Sequence, residues 1–392
     1  MENIKFDEMV KSQQVNCPCC GGSALRVMDL PGYPLTEFFR DSEDSQNPYG
    51  FVDQVARFCI DCNHLFLQSV LDASQIYRNY ITSSISSRGA VVCIENFVRF
   101  IEKAIGDLSP FTIIDIGGND STLLEYFLVK CKNLINIDPN ASTRNKSIEL
   151  RRHFLEQVDF SEFENGLPKI FVSSHTIEHL EDPVKLLANL SKVIGERDYL
   201  YLQFPSLEML VKQKRFDQIC HQHINYFSLK SIATVLEREG LQINDFEFDS
   251  SHFGTLRLML TRKRTNMIVP EKFSSSYLSD SFENFRKYYE HLNALMEEVF
   301  YEGQGFGAGL MVPTLAYHLP LINRLARIID ENPARIGKRF ISLRPQIEGA
   351  EHLDLTKPVL ITSISTKDAA RSIFSKLVSR GIRDICIPTM VT

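Results

Sequence analysis

Short apolar runs punctuate the middle of the chain, each followed by polar or glycine-rich residues and then by a helical pattern. Thr112–Ile116 reads as a buried strand, Leu123–Lys130 as a helix and Leu134–Asp138 as a second strand. Ile170–Ser174 and Tyr199–Phe204 read as further strands. Between them Pro183–Ile194 reads as a helix with Asp182 as its N-cap. Such alternation predicts a parallel sheet with helices on both faces. Before it, Tyr77–Gly106 is helical, with Ile94, Phe97, Val98, Ile101 and Ala104 on one face. After it, Leu241–Phe248 and Leu256–Thr261 form a late strand pair, and the charged stretch Arg262–Glu271 marks a boundary. Tyr277–Tyr301 is a long amphipathic helix. It opens a second α/β pattern with strands at Gln304–Ala308, Leu325–Asp330, Val359–Ser363 and Asp384–Pro388, and a helix at Lys367–Ser379. Residues 1–75 read as loops and short strands. Three domains are expected, over 1–75, 76–265 and 266–392.

The length of 392 residues agrees with more than one core. A chain 44% hydrophobic and 23% charged is that of a globular protein. Its net charge of −6 is spread over interspersed acids and bases, which argues against a nucleic-acid partner. The opening residues lack the apolar core of a signal peptide, and no run is long enough for a membrane span. A cytoplasmic location without membrane attachment is expected. Cytosolic cysteines seldom form disulfides, so nine cysteines, four in two close pairs, point to metal or catalysis.

Those pairs are Cys17-x-x-Cys20 and Cys59-x-x-Cys62. Two such knuckles match a tetrahedral zinc site of four thiolates, closed and structural, whose metal contributes to folding. Cys19 and His64 are rival ligands for one position.

The strand Thr112–Ile116 runs into Gly117-Gly118-Asn119-Asp120 and then towards Leu123. Glycines let a ligand approach the backbone, and a helix N-terminus offers free N–H groups. Asp115 is the next-to-last residue of the strand, and Asp138 at the tip of the next one is placed to bind ribose hydroxyls. The spacing fits a dinucleotide or S-adenosylmethionine (SAM). A pyrophosphate turn favours G-x-G-x-x-G. Here the third glycine is missing and Asp120 would repel phosphate, while SAM brings a positive sulfonium. Ser174 and His175, at the end of Ile170–Ser174, belong to the same ligand rim, followed by His179. A last polar cluster, Cys220-His221-Gln222-His223, gathers groups able to exchange protons near neutral pH.

In this order the four elements resemble the sugar C-methyltransferase family of deoxysugar biosynthesis. The resemblance spans nearly the whole chain. It rests on Cys17, Cys20, Cys59 and Cys62, on Gly117, Asn119, Asp120, Leu123 and Leu124 of the glycine turn, and on His179. His252-Phe-Gly-Thr-Leu-Arg257 and Gly305-Phe-Gly-Ala308 look like further family segments. The resemblance implies a Rossmann-like class I SAM methyltransferase domain, flanked by a small N-terminal zinc-binding domain and a C-terminal Rossmann-like α/β domain. It implies a nucleotide-linked keto-deoxysugar as small-molecule acceptor. A base removes the proton beside the ketone, and the enolate attacks the methyl group of SAM. The family histidine implicated as base maps to His223. The tyrosine and glutamate near it are replaced by Cys220 and Gln222, and the lysine often found after the C-terminal glycine element is absent. Ser121 replaces a family glycine. Tyr80 lies where the family has a Tyr/Ser-rich active-site segment. Because the departures fall on the acceptor side, an O- or N-methyltransferase of a sugar or small metabolite, or a non-catalytic zinc-containing binding protein, remain alternative readings.

Overall fold

The computed structural model describes residues 9–41, 48–72, 88–250, 252, 254–262, 274–300, 302–364 and 367–389. Tyr80, residues 77–87 of the first expected helix and nearly all of the 262–271 boundary lie outside them.

The N-terminal part holds β1 (Val10–Gln13), β2 (Ala24–Pro34), β3 (Phe39–Asp41), β4 (Phe51–Cys59), β5 (Leu65–Leu67) and β6 (Ser69–Leu71). It is more ordered than loops and short strands, because β2 and β4 form an antiparallel pair of 11 and 9 residues. Along β4 the residues Val52, Gln54, Ala56 and Phe58 are buried in strict alternation. The buried Gln54 and the outward Val55 hide this period from a count of apolar residues.

The central sheet has seven strands. β7 (Thr112–Ile116), β8 (Asn133–Ile137), β9 (Ile148–Arg151), β10 (Lys169–Ser174) and β11 (Tyr199–Pro205) are parallel. Among the remaining strands of this segment, β12 (Asn225–Tyr226) leaves the sheet, and β13 (Leu241–Asp249) and β14 (Thr255–Arg262) close it. The order is β13-β14-β11-β10-β7-β8-β9, with β14 antiparallel to β11. Strand order therefore reverses between β7 and β10, which opens a ligand crevice beyond their carboxyl ends. Helix Arg88–Ile105 packs Phe97 and Ile101 on one face of the sheet, and helix Pro183–Val193 packs Leu187 and Leu190 on the other. Asp182 caps the second helix by accepting from Lys185 N–H. Leu123–Lys130 is helical only over Thr122–Glu125. Beyond it Tyr126 and Phe127 donate three residues back and the turn tightens.

The C-terminal part begins with helix Ser275–Met296, shorter than its apolar pattern. β15 (Gln304–Phe306), β16 (Arg327–Ile329), β18 (Gln346–Glu348), β19 (Val359–Ile361) and β20 (Ile385–Cys386) form a second parallel sheet, ordered β18-β16-β15-β19-β20. Between β16 and β18 lies β17 (Lys338–Phe340), which pairs with β3. The parts interlock: β12 adds to β5, so the N-terminal sheet runs β12-β5-β4-β2. One core cluster joins Tyr33 and Phe58 to Phe216, Phe285 and Phe306. Among the described residues no helix is long and apolar enough to cross a membrane.

Candidate functional site

The turn after β7 is shaped by its backbone. Gly117 has φ +79°, and a Cβ there would collide with the side chain of Thr176. A Cβ on Gly118 would stand 2.5 Å from Oδ1 of Asn136 and 2.7 Å from Oδ2 of Asp115. Asn119 and Ser121 also have positive φ. Asn119 N–H donates to Asp138 Oδ2 at 3.2 Å, so the turn and the tip of β8 are locked together. The result is a glycine-floored cradle rimmed by Asp115 and Asp138. Asp115 is buried; burial, then the charges of Asp138 and Asp120, push its carboxyl up to about 8. Asp120 accepts from the N–H and hydroxyl of Thr122, which tightens the turn before the short helix. Leu123 is packed in the core beneath the cradle. A cradle of this kind, floored by glycines and rimmed by carboxyls, fits an adenosyl group carrying a cation.

Across the crevice, the end of β10 and the segment after it carry three expected residues, Ser174, His175 and His179. Ser174 Oγ accepts from Gln203 Nε2 at 2.8 Å, and Gln203 accepts in turn from Arg257 Nε at 2.7 Å. His175 adopts φ +54°, a left-handed conformation that costs a side-chain-bearing residue energy. Its ring meets His252 edge-on at 4.9 Å, with Nε2 3.7 Å from Cys93 Sγ and Nδ1 3.3 Å from Glu178 Oε1. Burial opposes its charge, but Cys93 and Glu178 outweigh that and raise it to about 10. Glu178 is itself 1% exposed. Burial works against its charge too, yet the surrounding histidines hold it down to about 2.

His179 and His223 meet edge-on at 4.7 Å. His179 donates from Nδ1 to the Gln222 carbonyl oxygen at 2.9 Å, which puts a proton on Nδ1. Burial, then the neighbouring His179, press His223 down to about 3, so its imidazole is neutral. The other two residues of this loop do something different. Gln222 turns its amide to Thr36, accepting from the hydroxyl at 2.8 Å and donating to the carbonyl at 3.1 Å. Cys220 is buried, its thiol pushed up to about 12 by burial first. Neither side chain is poised for proton transfer at neutral pH. Tyr80 lies outside the described residues.

Sequence reasoning passed over Cys93 and Glu178. Glu178 carried a signal: it stands three residues after His175, immediately before His179, at the mouth of a strand. Cys93 carried none, since it reaches the site from the helix before β7. Beside Arg257, between helix Arg88–Ile105 and β13, lies a cavity of about 460 Å³ lined in part by Arg99, Lys103 and Asp249.

In the N-terminal part the thiols of Cys17, Cys20, Cys59 and Cys62 converge, all four Sγ within 4.8 Å of one another. Cys17 and Cys62, and Cys20 and Cys59, are each 3.5 Å apart. His64 is turned to Asn225 Oδ1 at 3.1 Å, and Cys19 stands outside the four.

Residues 88–245 match the family described as "Methyltransferase domain", so the chain carries a methyltransferase domain there. The chain is 22% identical, over 247 residues, to the C-methyltransferase NovU of Streptomyces niveus, an alignment covering 61% of this chain and 59% of that protein. It thus spans less than two thirds of that relative. Among solved structures, a 1,6-didemethyltoxoflavin-N1-methyltransferase from Burkholderia thailandensis, bound to its substrate and S-adenosylhomocysteine, is 11% identical with a TM-score of 0.39, covering 56% of this chain and all of that one. The magnesium protoporphyrin IX methyltransferase of Synechocystis, with S-adenosylhomocysteine, is 15% identical with a TM-score of 0.35, covering 48% and 92%.

Proposed function

We propose that this chain transfers a methyl group from SAM to a carbon beside a ketone, on a nucleotide-linked deoxysugar. The observation that carries this reading is the placement of two unlike sites on one edge of one sheet. The cradle at Gly117, Gly118 and Asp138 suits the donor, and the His179–His223 pair suits removal of a proton from the acceptor. SAM, when bound, supplies an electrophilic methyl group.

The chain's own task is then to bind, orient and take a proton. Asp138 is placed to hold the ribose hydroxyls, and Asp115 faces the cation. His223, neutral in the free protein, accepts the acceptor's proton, and the buried Glu178 stabilises the imidazolium that forms. His179, its tautomer set by the Gln222 carbonyl, orients His223 across the edge-on contact. Alignment of base, carbon and methyl at ~3–3.5 Å accounts for much of the rate. Arg99 and Lys103, beside the cavity next to Arg257, offer cations for an acceptor's diphosphate.

The four cysteines suit a structural zinc ion: four soft donors, gathered with no position left for a substrate. Zinc there would anchor β5, on which β12 and the His223 loop are built.

The decisive experiment uses labelled SAM with a panel of nucleotide-activated keto sugars. The expected product carries the label on carbon. Solvent deuterium should also enter the acceptor in the absence of SAM, because carbon methylation requires an enolisable proton. A labelled product with no such exchange would replace this reading with O- or N-methylation.

A further inference from the structure

We propose that Glu178, His179 and His223 form a binding site for a first-row divalent cation, separate from the four-cysteine cluster. One donor atom from each residue lies within 4.8 Å of the other two. Two imidazoles and one carboxylate are a donor set that suits iron(II), cobalt(II), nickel(II) or zinc.

Two further observations point to an ion. Glu178 is 1% exposed, and neither of its carboxylate oxygens accepts a hydrogen bond. His175 Nδ1 pairs with Oε1 at 3.3 Å, which leaves Oε2 as the carboxylate oxygen facing no hydrogen-bond donor. A carboxylate buried without hydrogen bonds is costly unless a cation compensates it. Secondly, His179 gives its Nδ1–H to a backbone carbonyl. Metal-bound imidazoles are held in just this manner, one nitrogen fixed by a carbonyl or carboxylate and the other facing the ion. His179 and His223 are only partly buried, which leaves an entry path. It also leaves them room to close by the ~0.5–1 Å that bonds of about 2.0–2.2 Å require.

Binding stands on this donor geometry. Its consequence rests on the activity proposed above: an ion on His223 occupies the lone pair that receives the acceptor's proton. Metal and proton compete for one nitrogen, so the ion is a reversible inhibitor of the methyl transfer.

The test uses the full-length protein with its cysteine cluster filled by zinc, titrated with cobalt(II) chloride. One further equivalent is expected by calorimetry. It should give weak d–d absorption without thiolate-to-cobalt charge transfer, which separates it from exchange at the cysteines. Glu178→Gln and His223→Gln should each weaken cobalt binding at least about tenfold. SAM affinity, unchanged in those variants, serves as the check that they are folded. Wild-type turnover should fall with cobalt occupancy towards the level of a His223→Ala variant, and a chelator should restore it. The absence of a further equivalent, or unchanged affinity in both variants, overturns the site. Cobalt bound with turnover undiminished overturns the inhibition. A wild-type protein that binds cobalt but not SAM sinks the assigned activity and leaves the ion site standing.

Discussion

His179 Nδ1 stands 2.9 Å from the carbonyl oxygen of Gln222, so a hydrogen bond joins the loop after β10 to the loop before β12. That bond fixes the imidazole tautomer and sets the distance to His223, whose ring centre is 4.7 Å away.

From this pair follows the first prediction. His223→Ala is expected to lower kcat by about 10²–10⁴-fold, the range for loss of a general base. SAM affinity, measured by calorimetry, should stay within about twofold, because the cradle lies on other loops. Cys220→Ala, by contrast, should retain most of the turnover. Unchanged kcat in His223→Ala would remove the residue from the proton-transfer step.

The cradle gives the second. Gly118→Ala places a methyl group against Asn136 and Asp115, so SAM should bind at least about tenfold more weakly, a loss of about 1.4 kcal/mol. Gly117→Ala adds backbone strain at φ +79° and a clash with Thr176. It should cost about 1–3 kcal/mol of stability, read as a lower Tm without ligand. Equal SAM affinity in Gly118→Ala would place the donor elsewhere.

Asp115 makes stability depend on pH. Its carboxyl is raised to about 8 in the folded chain, first by burial and then by Asp138 and Asp120, and it ionises near about 4 when unfolded. Between those values the folded state keeps a proton that the unfolded state has released. Asp115's contribution is therefore fully present below about 4 and is lost as pH rises through 8. Without SAM, the Tm of wild type should fall relative to Asp115→Asn between pH 6 and 8.5. Parallel Tm profiles would show that Asp115 does not carry the effect.

The cysteine cluster gives a fourth. Metal analysis should find one zinc per chain, and Cys59→Ser should reduce it. The Tm should drop by roughly 5–10 °C, the equivalent of about 2–4 kcal/mol. Turnover should fall as well, since β5 carries β12 and His64 reaches Asn225, whose amide in turn donates to the Leu180 carbonyl beside His179. Full metal loss with undiminished turnover would separate the cluster from the active site.

Much of this was legible from spacing. β7 falls on Thr112–Ile116 as expected, because a short isoleucine-rich run ended by two glycines has few other uses. The four cysteines likewise declare themselves by their two identical gaps. What stayed hidden depends on pairing across long stretches of chain. Nothing near Asn225-Tyr226 announces that it completes a sheet begun at β2, since the partner at Leu65–Leu67 is set only by packing. Gln222 reads as a polar active-site residue until Thr36 is found against its amide. Glu178 looks like an ordinary first-turn acid until three histidines close around it.

The interlocked sheets also dictate an order of folding. β3 and β5 leave the ribosome long before β12 and β17 exist, so they wait with open edges. Made alone, the N-terminal segment would expose those edges to other chains. β3 and β5, made before β12 and β17, are thus among the last strands to reach their final partners.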